Sequence, residues 1–141
     1  PLPPAGAPDD TFWHGWPGAQ PRALLEALSA SPPLLRFALD VHARWRRAMV
    51  KVVSADVHAA PERHSVLPLP HAFAVPSERF RELYYWDTYF HARAMLLVGA
   101  PHAARAMLVD LTAAAADATG GRFVPNGARR YYSCRSQPPL L

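Results

Sequence analysis

The chain has 141 residues, half of them hydrophobic, so it can bury one modest core and is too apolar to be read as disordered. Its formal charge of +4 raises nucleic acid as a partner, but the charge is dispersed outside the cluster Arg44, Arg46, Arg47 and Lys51, and every basic residue except Lys51 is arginine, which beside so much alanine and proline fits coding bias; no nucleic-acid partner is expected. Cys134 is the only cysteine, which excludes an intrachain disulfide framework and a multi-cysteine metal site, and no run approaches the roughly 20 apolar residues of a membrane span.

Residues 1–20 are rich in proline and glycine, with Phe12, Trp13 and Trp16 among them, and read as an extended lead-in. From Pro21, Leu24, Leu25 and Leu28 recur at helical spacing until Ser31-Pro32-Pro33 breaks the pattern, which predicts a short helix. Phe37, Val41, Trp45, Met49 and Val52 then recur at intervals of three and four, which predicts one amphipathic helix from Leu34 to about Ala59. Prolines 61, 68, 70 and 76 predict an extended connection over 61–78. Two antiparallel helices are expected next, over about 82–98 and from Pro101 to Asp117, the second burying Ala104, Met107, Leu108, Leu111 and Ala115 and stopped by Gly120-Gly121. Residues 122–141 return to loop chemistry around the Pro125-Asn126-Gly127 turn. No alternating β pattern competes, so the expected class is all-α.

Chemistry concentrates in two places. If 79–90 is helical, Arg79, Leu83, Trp86, Asp87 and Phe90 share one sector, and a carboxylate inside an aromatic face needs a partner. That partner is either an internal arginine, with Arg93 or Arg135 as candidates, or a polar ligand such as a sugar, whose hydroxyls satisfy carboxylates and amides while its C–H faces stack on aromatic rings. On periodicity alone the internal pair is favoured. The second place is the loop pair carrying Asn126 and Arg135-Ser136-Gln137, and loops positioned by helices are where ligand groups tend to sit.

These blocks carry a resemblance. Val75-Pro76-Ser77-Glu78-Arg79-Phe80-Arg81-Glu82-Leu83-Tyr84-Tyr85-Trp86-Asp87-Thr88-Tyr89 resembles the first trehalase signature, Pro-Gly-Gly-Arg-Phe-x-Glu-x-Tyr-x-Trp-Asp-x-Tyr. Phe123-Val124-Pro125-Asn126-Gly127, then Arg129, Tyr131-Tyr132 and Arg135-Ser136-Gln137-Pro138-Pro139-Leu140-Leu141, is similar to that family's next block, and the Leu-Leu ending is closest to animal members. The resemblance implies an (α/α)6 toroid of helical hairpins that hydrolyses trehalose with inversion, with no cofactor and no metal. Residues 21–141 would be the N-terminal part of that catalytic domain, and an animal-like member would be secreted or held at the cell surface. Arg79, Trp86, Asp87, Asn126, Arg135, Ser136 and Gln137 match positions that bind substrate. The catalytic acid and base would lie downstream of Leu141, so the chain alone is expected to be inactive and to leave the apolar face around Trp86 uncovered. Ser77-Glu78 stands where the family has Gly-Gly, and Ala128 where glycine is common; a positive φ at such a turn would cost a non-glycine residue about 1 kcal/mol. Two other readings remain at this stage: an all-α binding module that presents a basic helix, Arg44 to Lys51, to an acidic partner, and a trehalase-like protein without activity.

Overall fold

The computed structural model of the chain describes residues 22–44 and 50–141. The lead-in with Phe12, Trp13 and Trp16, and the positions of Pro21, Trp45, Arg46, Arg47 and Met49, lie outside the described residues.

The described residues are mostly helical. Helix α1 (Arg22–Ser29) ends where predicted, and Ser31-Pro32 both stops it and opens α2 (Pro32–Arg44), because proline at the first helical position gives up only an N–H that has no partner there. The predicted helix from Leu34 to Ala59 is not continuous. Val50–Lys51 form a strand, β1, and α3 (Ala55–Ala59) is a separate turn of helix. The apolar spacing is real, but β-branched Val50, Val52 and Val53 favour extended backbone, and β1 pairs antiparallel with β2 (Phe73–Ala74), Val50 opposite Ala74. Arg44 and Lys51 therefore sit on different elements rather than along one basic helix.

Residues 61–78 are extended apart from a 3-10 turn at Pro61–Arg63, as the prolines require. Leu67, Leu69 and Val75 from this stretch are fully buried. They pack with a hairpin formed by α4 (Tyr85–Leu97) and α5 (Pro101–Thr119). The tight turn between these helices uses Gly99 at φ 78°, and Ala100 N–H donates to the Met95 carbonyl. At the end of α5, Gly120 takes the left-handed conformation, as the Gly-Gly stop predicts.

Alanines 103, 104 and 114 on the inner face of α5 let α4 and β2 approach closely, and Met107, wholly buried, accepts the Ala74 N–H at its sulfur. Leu108 departs from the expected stripe: it is exposed, and Asp110 is buried on that face instead. One Asp110 oxygen accepts from the backbone N–H of His71 at 3.1 Å and lies 3.0 Å from its Nδ1, so the carboxylate anchors the loop leading into β2. Burial pushes this carboxyl up to about 6. On its outer side α4 exposes Trp86, Phe90, Leu96 and Leu97, the uncovered face expected around Trp86.

Candidate functional site

Helix α4 starts three residues later than the periodicity predicts, and the reason places the site. Residues 82–84 stay outside the helix and are held by the 126–128 loop: Tyr84 bridges Gly127, Ala128 N–H donates to the Leu83 carbonyl at 2.9 Å, and Tyr85 N–H donates to the Asn126 carbonyl. Arg79, Leu83 and Asp87 therefore do not share a helical face. The first turn of α4 has no local side-chain cap at Tyr84; Gln137 supplies one from 51 residues away, its Oε1 accepting the Trp86 N–H at 3.0 Å. Gly127 makes the approach possible. A Cβ there would lie 3.0 Å from the Tyr84 ring, 3.1 Å from the Leu83 carbonyl oxygen and 3.1 Å from the Tyr132 ring.

The two sequence blocks thus meet at the start of α4, beside a solvent-open cavity of about 310 Å³ lined by Pro76, Phe80, Tyr84, Trp86, Asp87, Tyr132 and Gln137. That volume is at the lower end of the roughly 300–1,000 Å³ of small-molecule sites. Phe80 meets Tyr84 edge-on at 6.3 Å, and Trp86 meets Phe90 edge-on at 6.2 Å. Asp87 is the carboxylate in the cavity wall among the described residues. Burial raises its pKa, opposed by its own backbone N–H and by Trp86. It forms no ion pair with Arg93 or Arg135 among the described residues: Arg93 donates to the Tyr89 hydroxyl and stacks on its ring. The internal pair favoured by periodicity is absent.

Of the seven sequence candidates, the structure brings Trp86, Asp87 and Gln137 into the cavity wall. Arg79 is exposed beside it, its guanidinium 5.7 Å from the Phe80 ring centre. Asn126 and Arg135 are joined through backbone, Asn126 N–H to the Arg135 carbonyl at 2.8 Å. The Ser136 hydroxyl donates to the Val124 carbonyl at 2.7 Å, which ties the loop together. Pro76, Phe80, Tyr84 and Tyr132 were not candidates. For Phe80 and Tyr84 the signal is aromatic content within the first block, masked by reading 79–84 as helical; Pro76 and Tyr132 reach the cavity only through the fold. The Ser77-Glu78 substitution carries no backbone strain, since no non-glycine described residue has positive φ, and Ser77 Oγ accepts the Phe80 N–H. Ala128 is buried, and its N–H takes part in the pairing by donating to the Leu83 carbonyl.

Comparison with known proteins decides the family. A profile described as Trehalase matches residues 16–141. The chain belongs to the trehalase family. It is 46% identical over 105 residues to a probable trehalase of Oryza sativa subsp. japonica, covering 74% of this chain and 18% of that protein. To a trehalase of Pimpla hypochondriaca it is 38% identical, covering 78% of the chain and 18% of the relative. To a periplasmic trehalase of Xanthomonas axonopodis pv. citri it is 38% identical over 133 residues, 91% of the chain and 23% of the relative. The chain thus spans about a fifth of the length of these trehalase-family relatives, and both signature blocks lie within it.

Proposed function

We propose that this chain forms part of the sugar pocket of a glycoside hydrolase that cleaves α,α-trehalose into two glucose molecules with inversion, residues 21–141 contributing the first hairpins of an α/α toroid. The observation that carries this reading is the cavity at the start of α4, walled by residues from both signature blocks and combining aromatic faces with a carboxylate and an amide. A glucose ring needs that combination, because its C–H faces stack while its hydroxyls both donate and accept.

In this reading Trp86 walls the pocket and Asp87 accepts from ring hydroxyls. The Oε1 of Gln137 is engaged by the start of α4, so its Nε2 is the group that donates to a ligand. Arg79, Asn126, Arg135 and Ser136 approach from the rim, the two arginines donating to hydroxyls. Ser136, whose proton goes to Val124, serves as an acceptor. Inversion requires one carboxylic acid to protonate the departing oxygen and one carboxylate to activate water on the opposite face, roughly 6.5–9.5 Å apart. Among the described residues Asp87 is the one carboxylate in the cavity wall, and Glu82 pairs with Arg129 at 2.6 Å; in this reading neither serves as the catalytic acid or base.

Calorimetric titration of trehalose into the complete protein tests the reading. Trehalose binds, and Trp86→Ala and Asp87→Asn each weaken it at least about tenfold, the loss expected for one buried polar or stacking partner. Folded variants that bind as tightly as the parent would sink it.

A further inference from the structure

Tyr84 bridges Gly127, and two residues along on each segment Glu82 and Arg129 are joined through their side chains, Arg129 Nε donating to Glu82 Oε1 at 2.6 Å. Leu83 and Tyr85 are buried, while Glu82 and Tyr84 are partly exposed. Gly127 and Ala128 are buried and Arg129 is partly so, its backbone N–H donating back to the Gly127 carbonyl at 2.8 Å. On its far side Arg129 bridges Val66, and its Nη1 donates to Ser65 Oγ at 2.7 Å. One guanidinium therefore ties together three segments distant in sequence, using two edges of its planar fork as a lysine could not. The pair is largely enclosed, 27% and 17% exposed, and Glu82 Oε2 is buried without a hydrogen-bond partner among the described residues, so the carboxylate depends on Arg129.

We propose that Glu82 and Arg129 are a positioning pair for the saccharide site: they set the separation between the segment carrying Tyr84 and Trp86 and the segment carrying Tyr132 and Gln137, and so the width of the cavity. The proposal rests on the saccharide reading above, and neither residue touches the sugar. Tyr84 and Tyr132 both line the cavity and both press on Gly127, where no side chain separates them. Their spacing therefore follows the distance between the two backbones, which the ion pair fixes two residues along.

The test uses the complete protein and four variants, Glu82→Gln, Arg129→Met, Arg129→Lys and Ser65→Ala, each at a temperature where far-ultraviolet circular dichroism shows it folded. Glu82→Gln and Arg129→Met raise both the trehalose Kd and KM about tenfold with kcat within about twofold, the signature of lost ground-state and transition-state binding alike. Arg129→Lys recovers part of the loss, and Ser65→Ala costs about two- to threefold. A folded Glu82→Gln variant with parental Kd overturns the proposal, as does a fall in kcat with KM unmoved. If Glu82→Gln and Arg129→Met do not fold, Ser65→Ala decides, and an unchanged Kd overturns the role. A parent that ignores trehalose overturns the saccharide reading and this pair's role with it, whereas a parent that binds beside unchanged variants overturns the pair's role alone.

Discussion

The α1–α2 and α4–α5 pairs are each joined by a short connection and have proline as the first residue of the second helix, yet they treat their apolar residues differently. In α2, Leu34, Phe37, Leu39 and Val41 are 38–64% exposed, while α4 and α5 enclose Met95, Met107 and Leu111. The difference lies in what crosses the hairpin. β2, the extended 61–78 segment and the 123–137 loop all pack onto α4–α5 or hydrogen-bond to it, and the small alanines of α5 let them come close. An amphipathic pattern says that a helix has an apolar face; it does not say which distant segment arrives to cover it.

Substitutions sharpen the contrast. Met107→Ala removes a wholly buried side chain and the sulfur that accepts the Ala74 N–H, and costs about 2–5 kcal/mol in urea unfolding. Gly127→Ala comes next, at about 1–3 kcal/mol, because the added methyl meets a backbone carbonyl as well as two rings; trehalose affinity falls with it, and a variant equal to the parent in both would contradict the close approach.

The α4–α5 pair also holds two buried titrating groups whose effects oppose each other. Asp110 keeps its proton to about pH 6 in the fold against 3.8 in the reference state, so between those values the folded chain binds the extra proton and stability falls as pH rises. Burial lowers His91 from 6.5 to about 4, so the unfolded ring protonates first and stability rises with pH across nearly the same window. In the parent these two slopes therefore oppose each other between about pH 4 and 6. Asp110→Asn leaves the rising slope and His91→Gln the falling one, each accumulating to about 1–2 kcal/mol in unfolding measured at several pH values. Identical slopes in parent and variants would remove both groups from the account. The smallest effect is expected in the other pair, where Phe37→Ala, at a residue 64% exposed, stays within about 0.5 kcal/mol.

The elements most legible in the sequence are those whose signals are local. Helix α1, the Gly120-Gly121 stop and the proline-rich connection follow from backbone chemistry that needs no partner. The break after α2 was hidden because Phe37, Val41 and Val52 keep helical spacing, while the deciding partner of β1 lies more than twenty residues on, at Phe73–Ala74. The late start of α4 was hidden for the same reason: the groups that hold 82–84 out of the helix are backbone atoms of 126–128. Within the site, Trp86, Asp87 and Gln137 were reachable from motif resemblance. Tyr84 and Tyr132 were not, because their place in the cavity wall depends on a pairing that only the fold supplies.

A double-mutant cycle on trehalose binding puts the convergence of the two blocks to its most direct test. Asp87→Asn and Gln137→Ala are measured singly and together by calorimetry in the complete protein. If both side chains serve one glucose ring at the start of α4, their effects couple by about 0.5–3 kcal/mol. Effects that add to within about 0.3–0.5 kcal/mol would show that the two residues act at separate places, contrary to the single pocket described above.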